Sequence, residues 1–231
     1  MQAFQNMTPL LANLNALAGS LFIIATFGIV ATRQVRACLK FFILQSALLA
    51  ASAFLLGSNP LSMHLIAVGI INLVAKVWFL PWLLRRQVEE EVYTRREITQ
   101  VFSIPASLII ALLLTVAAYF FSLPWVKTAA DAGALSINVP VGLAGLLLGG
   151  FTLSTRREAV PQLLGILAME NGAFFAGIAI APDLPMIAEL ALAFDILLLT
   201  FVVGVLTRAV HERIGSTAVG KLTNLREEVQ Q

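Results

Sequence analysis

The chain has 231 residues, of which 59% are hydrophobic and 12% charged, and its mean hydropathy is +0.89. Soluble domains are nearer about 45–50% apolar and about 25% charged, so this composition excludes an ordinary soluble core and points to an integral membrane protein. The formal charge of +2 says little by its size. A single cysteine, Cys38, excludes an intramolecular disulfide framework, and the widely separated His64 and His211 give no basis for haem, zinc or iron–sulfur ligation.

A helix needs roughly 20 apolar residues to cross a hydrocarbon core about 30 Å thick. The first such run is 8–32. No Lys or Arg precedes Arg33, and the run is too long for the apolar region of a secretory signal. It is therefore read as a retained transmembrane helix. Runs 38–57 and 61–84 follow and complete an N-terminal unit over 1–84. The link 85–103 carries Arg85/Glu89, Arg86/Glu90 and Glu91/Arg95 at i,i+4 spacing, which suits a short solvated helical extension. A fourth helix, 104–123, leads into an outer loop ending at 136. Runs 137–155, 159–182 and 184–208 form a second group of three, and 209–231 is a tail. Pro9, Pro60, Pro105, Pro140, Pro161 and Pro185 lie near segment starts, where a missing N–H does no harm. The runs are long and continuous, unlike the alternating segments of a barrel. The expected fold is an all-α polytopic membrane protein of about seven transmembrane helices.

Charge sets the expected orientation. Arg33, Arg36 and Lys40, then Arg85, Arg86, Arg95 and Arg96, then Arg156 and Arg157, then Arg208, Arg213, Lys221 and Arg226 all fall on one side. Lys127 alone falls on the other, and Lys76 lies inside a helix. Cytoplasmic loops carry the excess of Lys and Arg, so the N-terminus is expected outside and the C-terminus in the cytoplasm. Gly145 and Gly149 form a GxxxG pair that Gly172 and Ala176 continue. Small residues let helices approach closely, which predicts tight packing within the last three helices or against a neighbouring subunit.

The informative residues are the ionisable ones within the runs: Lys76, Glu170, Glu189 and Asp195. A charged side chain at mid-bilayer costs roughly 2.5–3.5 kcal/mol on insertion scales, so these residues should face other helices or water. At about 1.5 Å per residue, Glu170 lies about 18 Å from the turn at Pro182, and Asp195 about 16 Å from Leu184. The two sit at one level on adjacent antiparallel helices. Glu189 lies nearer the outer surface, and its spacing of six from Asp195 turns it roughly 120° around the helix. Each carboxyl is read either as a helix–helix anchor or as a proton-exchanging group. Lys76 either snorkels to the cytoplasmic surface or takes an interior role, with Asn72 one turn away as a polar neighbour.

The element Met169-Glu170-Asn171-Gly172, then Glu189, Asp195 and the tail Ser216–Arg226, together with Ala75-Lys76-Val77 leading to Pro81, resembles the hydrogenase-4 component E family. These are membrane subunits of energy-converting [NiFe] hydrogenase complexes. The resemblance spans the chain and is strongest from Gly165 onward. The last three helices are also similar to the K-type small subunit of respiratory complex I and the C-type subunit of multisubunit cation/proton antiporters. In that group one carboxylate lies in the second of three helices and another in the third; Glu170 fits the first place and Asp195 the second better than Glu189. The resemblance implies a non-catalytic membrane-arm subunit of the inner membrane. Its partners would be antiporter-like membrane subunits and a soluble [NiFe] and iron–sulfur arm. No cofactor would be bound by this chain, and no nucleic-acid partner is expected. Glu170, Asp195, Glu189 and Lys76 would be the proton-relay candidates, moving protons or Na+. Three other readings stay open: a purely structural anchor, a subunit of a cation/proton antiporter, and a stand-alone transporter. A retinal pump fits poorly, because residues 184–207 lack the lysine that retinal attachment requires.

Overall fold

The computed structural model describes residues 9–58, 62–87, 101–128 and 138–180, and among these every element is helical. Helix α1 is Pro9–Ala31 and α2 is Val35–Ser58. Helix α3 is composite: an α-helix over Met63–Asn72, a π-helical segment over Leu73–Phe79, and an α-helix again over Leu80–Gln87. Helices α4 (Ile104–Thr128), α5 (Asn138–Thr155) and α6 (Ala159–Ile180) follow. Pro9–Ala31, Val35–Ser58, Met63–Leu84, Ile104–Pro124 and Asn138–Thr155 are each long and apolar enough to cross a bilayer. At 22 residues α6 is also of spanning length. The protein is thus a multi-pass, all-helical membrane protein over the described residues. The expected seventh segment, 184–208, most of the 85–103 link and the tail lie outside them.

The observed ends differ from the expected ones where proline and arginine act. Helix α2 begins at Val35, so Arg36 and Lys40 belong to its first turns. Helix α4 runs past Pro124 to Thr128; one proline inside a membrane helix is tolerated because neighbouring groups re-satisfy the freed carbonyl. The π segment of α3 stops at Phe79, two residues before Pro81. An unbroken α-helix would require an N–H at position 81 and would press the proline ring against the carbonyl of Val77. The wider turn relieves both, and Pro81 falls in the first turn of the resumed α-helix. The Leu80 N–H accordingly bonds the Ala75 carbonyl, five residues back.

Lipid tails are as apolar as leucine, so helices in a membrane associate through close packing and interhelical hydrogen bonds. The closest approach is between α5 and α6. A Cβ placed on Gly142, Gly149 or Gly172 would collide with the facing backbone at Ala176, Met169 or Leu146 respectively. The expected tight packing of small residues is therefore found between these two helices. Gly145 receives the ring of Phe22 from α1, and that ring lies 4.6 Å from the ring of Phe175 on α6. Helix α2 packs on α1, α3 and α6, and α4 packs on α5 and α1. The outer face of α4, with Ile109, Leu112, Leu113, Val116, Phe120 and Phe121, is exposed. Such a face suits lipid.

Two apolar clusters fill the interior at different heights. One joins Ile29, Cys38, Leu39, Phe42, Leu80, Leu84, Leu164 and Leu167 near the end that carries Arg33 and Arg157. The other joins Phe22, Leu49, Ala53, Leu65, Val68, Phe175 and Ile178 towards the opposite end. On each of α1, α2, α3 and α6 the residues between these clusters include buried polar ones. That sandwiched layer is the candidate site.

Candidate functional site

Glu170 stands near the middle of α6 and Lys76 within the π segment of α3. At about 1.5 Å per residue, Glu170 lies roughly 15 Å from either end of its helix. Both residues are buried, and Lys76 Nζ sits 2.9 Å from Glu170 Oε2 in an ion pair. The same ammonium donates to Asn171 Oδ1 at 3.0 Å and lies 5.4 Å from the centre of the Phe174 ring. A carboxylate, an amide oxygen and an aromatic face therefore surround one cation in an apolar interior. At this depth an isolated charge is unfavourable; pairing with a hydrogen-bonded counter-ion is what makes it tolerable.

Asn171 extends the site across two more helices. Its Nδ2 donates to Ser46 Oγ at 2.8 Å and to Gln45 Oε1 at 3.3 Å, both on α2. Gln45 Nε2 donates to Thr26 Oγ1 at 2.8 Å, and the Thr26 hydroxyl donates to the Phe22 carbonyl at 2.7 Å within α1. A chain of polar groups thus runs Glu170, Lys76, Asn171, Gln45, Thr26, crossing α6, α3, α2 and α1. Adjacent positions explain the branching. Glu170 and Asn171 are about 100° apart on α6, so one reaches towards α3 while the other also reaches α2.

Asn72, one turn before Lys76, is 3% exposed, and its Oδ1 has no hydrogen-bond partner. The expectation that it would be a polar neighbour of Lys76 thus finds it buried on the same helix but not bonded.

Two further polar ties lie outside this layer. Asn15, Ser52 and Asn138 interlock on α1, α2 and α5: Asn15 Nδ2 donates to Asn138 Oδ1 at 3.1 Å, and Ser52 Oγ donates to Asn15 Oδ1 at 2.7 Å. At the other end Arg156 is 3% exposed rather than solvated. Its Nη2 donates to the carbonyls of Ile29, Val30 and Thr32 at 2.9, 2.9 and 2.8 Å. The end of α1 leaves its last carbonyls without helical donors, and Arg156 satisfies them while placing positive charge at the negative end of the helix dipole.

Of the four ionisable residues singled out in the sequence, the structure brings Lys76 and Glu170 together. Glu189 and Asp195 lie outside the described residues. Lys76 is interior and does not snorkel. The residues that sequence reasoning left without a role are Thr26, Gln45, Ser46 and Asn171. Their signal was present: each is a neutral hydrogen-bonding residue in an otherwise apolar run, and such residues turn inward in membrane helices. Among the described residues no group of three or more His, Cys, Asp or Glu side chains is placed to hold a metal ion.

No protein-family model matches the chain, and no solved structure matches it. Among curated proteins it is similar to an uncharacterized protein of Mycobacterium tuberculosis, Rv0085. The two are 35% identical over 210 residues, covering 91% of this chain and 94% of the relative. The chain belongs to the same family as that mycobacterial protein.

Proposed function

We propose that the chain is a non-catalytic membrane-arm subunit of a hydrogenase-4-like redox complex, and that Glu170 exchanges the protons it moves. The observation that carries this reading is the buried Lys76–Glu170 pair at the centre of the helices, joined to a polar chain across four of them. A carboxyl group can bind and release a proton, and the ammonium beside it couples that exchange to the opening and closing of the pair. Ionisable residues at this depth mark ion and proton pathways in membrane proteins. Asp195, and Glu189 as a third candidate, extend the relay in the seventh helix, 184–208. The protein spans the inner membrane seven times, with the N-terminus outside and the arginine-rich end in the cytoplasm. Redox metals and clusters belong to partner subunits, and antiporter-like subunits lie beside this one. The same geometry would serve a subunit of a multisubunit cation/proton antiporter, which differs in partners rather than in the site.

Purifying the full chain from its native membrane in mild detergent tests the assignment. Antiporter-like and [NiFe] hydrogenase subunits should accompany it. Isolation with antiporter subunits but no hydrogenase subunits would move it to the antiporter class, and isolation alone would reject both.

A second reading has its own support. A closed ion pair, the Asn15–Ser52–Asn138 interlock and the Arg156 cap all tie helices together, as a purely structural anchor would need. On that reading Glu170→Gln leaves proton movement intact in an assembled complex and lowers stability alone.

A further inference from the structure

We propose that Thr26 is a positioning residue for the Lys76–Glu170 pair: through Gln45 it turns the Asn171 amide so that an oxygen, and not an N–H, faces the Lys76 ammonium. Its bearing on proton exchange rests on the reading of Glu170 as the exchanging group; the orientation itself does not. The chain of bonds has a direction. Lys76 Nζ donates to Asn171 Oδ1 at 3.0 Å, and Asn171 Nδ2 donates to Gln45 Oε1 at 3.3 Å. Gln45 Nε2 donates to Thr26 Oγ1 at 2.8 Å, and the Thr26 hydroxyl donates to the Phe22 carbonyl at 2.7 Å. Every donor in this series points away from the ammonium and every acceptor towards it. The bonds thus run in one sense, from α3 through α6 and α2 to α1.

The two ends fix that sense. An ammonium has donors only, so the amide it touches must offer an oxygen. At the far end the Thr26 hydroxyl has one proton, and that proton is committed to a carbonyl of its own helix, four residues back. The hydroxyl oxygen is left as an acceptor, and the Gln45 amide N–H meets it. Gln45 Oε1 is then turned to Asn171, and Asn171 Oδ1 to Lys76. The two amides between the ends have no preference of their own, since each carries a donor side and an acceptor side. Ser46 Oγ also accepts from Asn171 Nδ2, at 2.8 Å, but a hydroxyl serves as donor or acceptor and does not set the sense. Thr26, Gln45 and Asn171 are each 0% exposed, so bulk water does not reorient them. Hydrogen bonds in series polarise one another where the dielectric is low. With their acceptor ends towards Lys76, these dipoles favour a positive charge there. A tie between helices needs bonds but no common direction. The common direction marks the chain as acting on the ammonium, with Thr26 as its anchor on α1.

The test uses the full chain in lipid bilayers with 15N-labelled lysine and 13C-labelled asparagine. Solid-state NMR reads the contact between Lys76 Nζ and Asn171 Cγ, identified by its loss in Asn171→Leu. Thr26→Val keeps the side chain's shape and removes the hydroxyl, and the contact should fall by about half or more. Thr26→Ser supplies the hydroxyl again and should match the unaltered protein. Because Thr26 acts through Gln45, Gln45→Leu should produce the same fall, and Thr26→Val should add nothing to it. A contact that Thr26→Val leaves unchanged overturns the proposal. So does a fall that Thr26→Ser shares, or one that adds to the effect of Gln45→Leu. Should Thr26→Val fail to fold, Thr26→Ala carries the same comparisons. Proton pumping by Glu170→Gln in the assembled complex is read separately. A contact that depends on Thr26, with pumping unimpaired in Glu170→Gln, keeps the orientation and rejects the relay; a contact indifferent to Thr26, with pumping lost, does the reverse.

Discussion

Lys76→Met removes one ammonium while preserving most of the side chain's length and volume. Glu170 then loses its counter-ion at 2.9 Å, Asn171 loses a donor at 3.0 Å, and Phe174 loses its cation. Removing one partner of a buried pair costs about 3–5 kcal/mol in soluble proteins, because a charge is left uncompensated. Protonation of the Glu170 carboxyl limits that cost, so the figure is an upper range. A change of 1 kcal/mol shifts the melting temperature of a chain this size by roughly 2–4 °C, giving a fall of roughly 6–20 °C. Cys38 supplies the assay. It is the chain's single cysteine and is 0% exposed, so a thiol-reactive fluorophore should label it when the helices separate. Lys76→Met/Glu170→Gln removes both charges and should recover most of the loss, since replacing a whole buried pair by neutral groups of similar size is often close to neutral. If both single variants melt with the unaltered protein, or the double variant is worse than the two losses combined, the pair is not the electrostatic unit described here.

Other predictions follow from single contacts. Asn171→Leu breaks the hydrogen bonds to Lys76, Ser46 and Gln45; at about 0.6–1.7 kcal/mol for an interhelical membrane hydrogen bond, it should lower the Cys38 labelling temperature by several degrees. Gly172→Val forces a side chain into the backbone of Leu146 and should cost about 1–3 kcal/mol through overpacking, whereas Gly177→Val, with nothing within 4 Å of its Cβ, should melt near the parent. Arg156→Gln removes donors to the carbonyls of Ile29, Val30 and Thr32. Charge-assisted bonds of this kind are worth about 1.5–3 kcal/mol, so melting should drop clearly, while the exposed Arg157→Gln leaves it unchanged.

The helices were legible in the sequence because a bilayer demands uninterrupted apolar runs, and α1 and α5 start and end within a residue of the runs read from composition. The α5–α6 contact was legible because close approach needs glycine. Lys76 was legible as a charge partner or relay, but not as the partner of Glu170 in particular, because helical spacing ranks neighbours in sequence without revealing that α3 packs near α6. Asp195, which depth along the adjacent helix suggested as a companion of Glu170, lies outside the described residues. The polar chain through Gln45 and Thr26 was hidden for a related reason. Neutral amides and hydroxyls cost too little in a hydropathy average to stand out, and their importance appears when four helices place them at one height. Arg156 was counted as a loop charge because its position after α5 cannot show that it reaches back to cap α1. The π segment could be anticipated from Pro81, which cannot sit in an unbroken α-helix without losing a bond.

The central claim is that Glu170 carries a proton during turnover. Inverted membrane vesicles containing the assembled complex, driven by its own redox reaction and monitored with a pH-sensitive fluorophore, test it most directly. Glu170→Gln should assemble and support electron transfer but acidify the vesicle interior several-fold less than the unaltered complex, with Glu170→Asp retaining part of the activity. Unchanged acidification by fully assembled Glu170→Gln complexes would contradict the account and leave the Lys76–Glu170 pair as a tie between α3 and α6.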